Sequence, residues 1–287
     1  MKRVLVTGGT GFVGRFIVED LLAAGHEVVV SGRHPPADGT FLQPVRFIAG
    51  SLEPDEIDPS IFAGLDVFIH AAFDHQPGKY RGGEGDDPVG FIRRNRDGSV
   101  ALFEAAKAAG VGRDVFLSTR AVYGPKPAGT MLREDMPAMP DTLYGQVKLD
   151  VEQAVSALAD ESFKPVVLRV TGVYGPDKWA DLFADYLAGK PIASRAGTEV
   201  HGADVARAVR IALEHRAPPS TLNVSDIMLD RHDLLGVVKE ATGSAHLLPE
   251  PADAGAINTM DCARLKSLGW VPGGWPLLDK TVREMLG

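Results

Sequence analysis

At 287 residues, with 45% hydrophobic content and a formal charge of -8, the chain can bury a large core and lacks the clustered basic excess of a general nucleic-acid binder. No apolar stretch approaches the ~20 residues needed to cross a bilayer, and the single cysteine, Cys262, rules out an internal disulfide. A chain that starts directly on a strand, without a charged-then-apolar leader, is expected to be cytoplasmic, with Cys262 a small packing residue.

The first apolar run, residues 4–6, passes into Thr7-Gly8-Gly9-Thr10-Gly11-Phe12-Val13-Gly14 and then into an amphipathic segment over 15–24. Gly8, Gly11 and Gly14 in a strand-to-helix turn can take backbone angles and close contacts that a Cβ forbids. A pyrophosphate can then rest on the N–H groups that open the helix. Gly9, Gly11 and Gly14 also meet the literal G-x-G-x-x-G spacing, so spacing alone leaves open which glycine makes the first tight turn. A second apolar run at 28–30 completes a βαβ unit of about 30 residues, the context that the motif requires.

Further short apolar runs at 45–48, 67–71, 115–118 and 166–170 alternate with helical segments, which predicts a parallel sheet buried on both faces. Ligands of such sheets lie beyond the carboxyl ends of the strands. After the second strand, Ser31-Gly32-Arg33-His34 offers no acid to ribose hydroxyls. Arg33 can instead pair with a 2′-phosphate, which favours NADP over NAD; the alternative is a solvated surface arginine. After the third strand, Gly50, Ser51 and Leu52 are expected to edge an adenine pocket. The fourth strand ends His70-Ala71-Ala72, small enough for close approach of a cofactor.

The polar stretch 73–88 is expected to be a mobile lid or an ordered substrate loop, with Lys79 and Arg81 either meeting an anionic substrate or solvated. A long helix over 89–109 follows, and Asn95 near its middle has poor helix propensity, which hints at a positional job. The fifth strand ends in Ser118 and Thr119, and Tyr144 and Lys148 open the next helix, predicted over 144–159. Residues four apart share a helix face, so Lys148 can lie near the phenol, stabilise tyrosinate and lower its pKa from about 10. Tyr144 is then a candidate general acid or base, with Thr119, in preference to Ser118, hydrogen-bonded to the reacting oxygen. The same spacing recurs at Tyr174 with Lys178 and at Tyr186 with Lys190. Gly175 and Pro176 interrupt the first pair, and Gly189 and Pro191 end the helix at the second.

Beyond residue 170, helices are predicted over 176–189, 203–215, 231–242 and 276–286, with a short strand at Asn223 and Val224. His201 and Asp204 are read as a helix cap and its packing in preference to a catalytic pair. Trp179, Trp270 and Trp275 are read as packing residues, Trp179 being best placed to touch substrate. His and Cys show no metal-ligand spacing.

These motifs resemble those of the extended short-chain dehydrogenases/reductases of the NAD-dependent epimerase/dehydratase family. The resemblance runs through T-G-G-T-G-F-V-G at Thr7, H-A-A at His70, Asn95, S-T-R-A-V-Y-G at Ser118 and Y-G-Q-V-K at Tyr144. It continues through L-R-V-T-G-V-Y-G-P at Leu168, V-H-G-A-D-V-A at Val200, L-N-V-S at Leu222 and L-G-W-V-P at Leu268. It implies an α/β fold: a Rossmann doubly wound parallel sheet over 1–170, joined by segments near 200–225, with a small C-terminal substrate-binding cap mainly from 171–287. It implies NADP, or alternatively NAD, held by Gly8, Thr10, Gly11, Phe12, Val13, Gly14, Arg33, Ser51, Leu52, Ala71, Ala72, Tyr144 and Lys148. Gly8, Gly11 and Gly14 become the favoured trio. Thr119, Tyr144 and Lys148 form the implied catalytic set, with Asn95 supporting the lysine through water and backbone. A homodimer through 89–109 and 144–159 is implied as well.

Two departures shape the expected activity. Arg120 and Ala121 stand where dehydratases of the family carry an Asp-Glu pair, which disfavours elimination of water. Gly197 and Thr198 stand near the place of the arginine that clamps a sugar-nucleotide diphosphate, with Arg195 as the nearby substitute in a shortened 189–201 segment. The resulting expectation is an NAD(P)-dependent oxidoreductase or epimerase acting at a hydroxyl or ketone of a sugar nucleotide or similar small substrate, with the NADP-linked reductase favoured. The alternatives are a nucleotide-sugar 4-epimerase with tightly bound NAD and a non-catalytic dinucleotide-sensing protein.

Overall fold

The computed structural model describes every residue except 77, 78, 80, 81 and 177, so Arg81 of the polar stretch lies outside the described residues. In β1 (Arg3–Thr7) Val4 and Val6 point into one apolar cluster and Leu5 into another, and in β2 (Glu27–Gly32) Val28 and Val30 part from Val29 in the same way. Strands apolar on both sides belong inside a sheet covered on both faces. With β3 (Arg46–Ala49), β4 (Val67–His70), β5 (Arg113–Thr119), β7 (Lys164–Val170) and β10 (Thr221–Val224) they form a seven-stranded parallel sheet in the order β10-β7-β5-β4-β1-β2-β3. Because β1 pairs with β2 on one side and β4 on the other, the winding reverses beyond Thr7 and His70. This is the α/β Rossmann architecture expected from the alternating runs.

Helices α1 (Phe12–Ala23) and α6 (Gly202–Glu214) cover one face through Ile17, Leu21, Val205 and Val209. Helices α3 (Ser99–Ala108) and α4 (Leu143–Ala157) cover the other through Leu102, Phe103, Val151 and Val155. Each such side chain taken fully out of water contributes about 1.5–3 kcal/mol. Helix α1 begins three residues earlier than expected, since Gly11 already serves as its N-cap. The expected helix over 89–109 is a continuous rod in three parts: α2 (Pro88–Ile92), a π-helical turn at Arg93–Gly98, and α3.

The later chain holds features with no clear sequence signal. β8 (Gly172–Tyr174), β9 (Ala196–His201) and β11 (Ile227–Asp230) form a three-stranded mixed sheet, and β6 (Met131–Leu132) pairs with β12 (Thr259–Met260). These strands are short, two to six residues, so they lack the longer apolar runs that betray the main sheet. Helices α5 (Ala180–Leu187), α7 (Arg231–Thr242) and α9 (Gly274–Leu286) pack around Tyr174, Phe183, Leu229, Leu235 and Leu278, while α8 (Ala263–Ser267) follows β12. His201 caps α6 by accepting the Ala203 N–H at 3.1 Å. Trp270 is buried, its indole donating to Asp204 O, and Trp179 stacks on Tyr174 with centroids 5.3 Å apart. Cys262 is buried and its thiol is pushed up to about 11, first by burial, which makes it an inert packing residue. Among the described residues no helix is long and apolar enough to cross a membrane.

One polar strut runs through this apolar frame. Arg169 of β7 donates to Glu152 of α4 at 2.7 Å, both buried, and Ser118 donates its hydroxyl to the same carboxylate. The guanidinium also lies 4.8 Å from the Tyr123 ring centroid, and the Tyr123 hydroxyl donates to Asn223 of β10 at 2.7 Å. Removing one member leaves the other charge buried and unpaired. Arg169→Ala is therefore expected to lower the unfolding free energy by about 3–5 kcal/mol, read from urea midpoints at unchanged slope. A loss below about 1 kcal/mol would show that Glu152 finds its stabilisation elsewhere.

Candidate active site

A cleft of about 650 Å³ opens at the winding reversal, beyond the ends of β1, β2, β3 and β4. Its floor is the glycine turn. Gly8 has φ 71°, and a Cβ there would lie 2.6 Å from the Ala72 amide nitrogen; a Cβ on Gly14 would collide with the Gly8 carbonyl oxygen. Gly8, and not Gly9, thus makes the tight turn, closed by the Gly11 N–H donating to Gly8 O at 2.9 Å. No side chain caps the first turn of α1, whose amides are thereby presented to an anion. A cradle that a Cβ would fill, floored by helix-opening amides, fits the pyrophosphate of a dinucleotide. Gly8, Thr10, Gly11, Phe12, Val13 and Gly14 line it, as do Arg33, Ser51, Leu52, Ala71 and Ala72. Tyr144 and Lys148 are not among its lining residues; Phe73 stands between.

Phe73 shares a wall with both regions. It lines the cleft, and its ring meets Tyr144 edge-on at 5.1 Å between centroids and lies 4.5 Å from the Lys148 ammonium. Behind it, Thr142 caps α4 by accepting the Gly145 N–H at 3.0 Å, which starts the helix so that Tyr144 and Lys148 share one face. The Thr119 hydroxyl at the end of β5 adjoins the Tyr144 phenol closely enough to pull its pKa downward. Lys148 Nζ donates to Leu117 O at 2.7 Å and sits against the Phe116 ring at 4.7 Å. Tyr144 thus adjoins Thr119 on one side and shares the Phe73 ring with Lys148 on the other.

The electrostatics differ from expectation. Burial pushes the Tyr144 phenol above its ordinary 10.0, against the smaller downward pull of the Thr119 hydrogen bond. Burial also pushes Lys148 down to about 7, against an upward pull from Glu152 one turn further along α4. The expected lowering of the phenol by the lysine is thus reversed, because desolvation acts on both groups and the ammonium is turned to Leu117 O and two aromatic faces.

Asn95 lies in the π-helical turn and is buried. Its Oδ1 accepts the Asp74 N–H at 2.7 Å, and its Nδ2 donates to Asp74 O at 2.8 Å and Phe91 O at 3.0 Å. It therefore clamps the backbone directly after Phe73, whose ring lies against Lys148. A second buried chain leads to the same place. Thr7 and His70 Nδ1 are 2.7 Å apart, His70 Nε2 and Ser99 are 2.8 Å apart, and Ser99 donates to Asn95 O at 2.6 Å. Since Ser99 spends its proton on a carbonyl, it accepts from His70 Nε2–H. His70, pushed down to about 3 by burial and by the Lys148 charge, is neutral and accepts the Thr7 proton at Nδ1.

Arg33 lies at the cleft with its side chain 77% exposed, 3.2 Å from Asp74. Lys79 is exposed, and among the described residues its ammonium donates a long hydrogen bond, 3.4 Å, to Gln76. Sequence reasoning missed Phe73, Asp74 and Glu152. The first two follow H-A-A in a polar stretch without periodicity; Glu152 had a signal in its place four residues after Lys148. Among the described residues no group of three or more His, Cys, Asp or Glu side chains could hold a metal ion.

The seat of Lys148 has a measurable consequence. The folded chain holds it at about 7 against 10.5 for the free side chain, so between these values the unfolded chain binds the extra proton and stability rises with pH. From pH 7 to pH 9, wild type is expected to gain stability relative to Lys148→Met in urea unfolding. Parallel curves would show that the ammonium is not held in this way.

The family profile for the NAD dependent epimerase/dehydratase family matches residues 4–225. A dTDP-6-deoxy-L-talose 4-dehydrogenase (NAD(P)(+)) of Kitasatospora kifunensis is 31% identical over 99% of this chain and 94% of its own. A UDP-glucose 4-epimerase of Neisseria meningitidis serogroup C is 35% identical, over 59% of this chain and 52% of that one. Among solved structures, the Thermus thermophilus UDP-glucose 4-epimerase complex with NAD superposes with a TM-score of 0.77 at 29% identity, covering 98% of this chain and 96% of that one. The glycine turn at a Rossmann switch point, the adjoining Tyr144 and Lys148 face, and these likenesses agree: the chain belongs to the NAD-dependent epimerase/dehydratase family.

Proposed function

We propose that the chain is an NAD(P)-linked oxidoreductase that interconverts a hydroxyl and a ketone on a nucleotide-linked sugar, with NADPH-dependent reduction the favoured direction. The observation that carries this reading is Tyr144 on α4 one helical turn from the buried Lys148, with the Phe73 ring against both and Thr119 beside the phenol. The residues that line the cleft would hold the dinucleotide, whose nicotinamide supplies the hydride exchange when bound. Thr119 orients the reacting sugar oxygen, and Tyr144 gives it a proton during reduction or takes one during oxidation. A phenol raised by burial stays protonated at neutral pH, which suits the proton-giving role. Lys148 near 7 changes charge in the working range and adjusts how readily Tyr144 parts with its proton. Phe73 excludes water from the pair.

The full-length likeness to a 4-dehydrogenase of a dTDP-6-deoxy sugar supports a nucleotide-linked 6-deoxyhexose with C4 as the reacting carbon. Arg33 at the end of β2, where an acid would favour NAD, supports NADPH. In the same proposal residues 171–287 supply most of the substrate-side cap, and two chains pair through 89–109 and 144–159. The second reading, a 4-epimerase that keeps its NAD, is supported by the half-length likeness to UDP-glucose 4-epimerases.

Absorbance and mass spectra of the freshly purified protein separate these readings: exchangeable NADPH is expected, and non-exchanging NAD would overturn the reductase. Tyr144→Phe is expected to lower turnover of a dTDP-4-keto-6-deoxy sugar by about 10²–10⁴-fold with dinucleotide affinity little changed; undiminished turnover would remove the acid–base assignment. Arg33→Ala is expected to weaken NADPH about tenfold and spare NADH. Equal affinities before and after the change would remove Arg33 from cofactor choice.

A further inference from the structure

Arg33 is already engaged. Its Nη1 lies 3.2 Å from Asp74 Oδ1, and Asp74 Oδ2 accepts from Arg94 Nε at 2.7 Å. Arg33, Asp74 and Arg94 come from the segments after β2 and β4 and from the π-helical turn, and all three line the cleft. We propose that Asp74 sets the choice between NADPH and NADH by holding the guanidinium that a 2′-phosphate requires. The inference rests on Arg33 as the phosphate partner and adds the residue that opposes it.

Three observations carry it. First, Asp74 cannot follow Arg33 outward. Its own N–H and C=O are both clamped by the buried Asn95 side chain, and the Asn95 carbonyl is held in turn by Ser99. Arg33, mostly exposed on a long stem, is the partner free to turn. Secondly, Arg94 does not neutralise Asp74 alone. It also lies 3.7 Å from Glu53 and 3.5 Å from Asp87, so one guanidinium is divided among three carboxylates. Thirdly, Glu53 lines the same cleft and also draws on Arg94, although its closer partner is Arg93 Nη1 at 2.9 Å, so Arg94 is not left to Asp74 alone.

A 2′-phosphate has two ways to reach Arg33. It can draw the guanidinium away from Asp74 and lose that ion pair, or it can share the guanidinium and stand a few ångströms from a carboxylate of like charge. Either route weakens NADPH. NADH carries no 2′-phosphate and meets neither cost. Cofactor choice therefore depends on the contest between Arg33 and Asp74.

Fluorescence titrations of NADPH and NADH against wild type, Asp74→Asn, Arg33→Ala and the double variant test this, with thermal melts to verify folding. Asparagine keeps the size and the backbone clamp but removes the charge. Asp74→Asn is expected to tighten NADPH about threefold to tenfold and to leave NADH within about twofold. In the Arg33→Ala background the same change is expected to give less than about half of that gain. The proposal is overturned if Asp74→Asn tightens both cofactors equally, if it tightens neither, or if its full gain persists without Arg33. If Arg33→Ala leaves NADPH affinity unchanged, the phosphate reading of Arg33 fails. If Arg33→Ala weakens NADPH and Asp74→Asn has no effect, that reading stands and only the role of Asp74 fails.

Discussion

Gly8 touches the backbone of Ala71 and Ala72 so closely that no side chain fits between them. Thr7 ends β1 immediately before this contact, and His70 ends β4 just ahead of it, so the approach of two backbones brings their side chains within hydrogen-bonding range. The same approach floors the cleft and determines where the chain emerges after Ala72. Phe73 then turns towards Tyr144 and Lys148 while Asp74 turns towards Arg33 and Arg94. Two consecutive residues thus serve two adjoining regions, one acidic towards the cleft and one aromatic towards Tyr144 and Lys148.

The polar groups buried behind this loop are stabilised as a chain. A buried hydroxyl or imidazole without a partner would cost a few kcal/mol, whereas each satisfied link contributes about 0.5–1.5 kcal/mol net. Thr7, His70, Ser99 and Asn95 satisfy one another in one direction, with each proton aimed from the glycine turn towards the helix. The ammonium of Lys148 is nearly as deep. It is tolerated because Leu117 O accepts from it, aromatic faces lie against it and the Glu152 carboxylate is one turn away. Arg169 balances that carboxylate in turn.

Much of this was legible in the chain itself, because much of it is local. Runs such as Val28-Val29-Val30 must be buried on both sides, and a turn with three glycines before a helix leaves few alternatives. Tyr144 and Lys148 needed only an uninterrupted helix to share a face, which the pairs at Tyr174 and Tyr186 lack. What could not be read depended on distant packing. The direction of the Tyr144 shift follows from how deeply α4 is buried against β5, which residue spacing does not report. Asp74 and Phe73 sit in a segment without periodicity, and their partners are Asn95, Arg94 and Tyr144, residues brought close only by the fold. The mixed sheet of β8, β9 and β11 escaped notice because strands of three to six residues resemble loops.

The π-helical turn at Arg93–Gly98 also changes the geometry of the rod that contains it. A π turn holds one residue more than the α turn it replaces, so the angular phase of every side chain beyond it slips by about 100°. The stripe that buries Phe91 in α2 therefore does not run straight on to the stripe that buries Leu102, Phe103 and Ala106 in α3. One rod in this way presents two differently aimed surfaces. Asn95 occupies the step between them, facing inward, and Gly98 closes the step flat against the Leu52 backbone, where any Cβ would collide. The extra residue acts as a phase shifter: it turns α3 relative to α2 and leaves Asn95, at the step, aligned with the loop after β4.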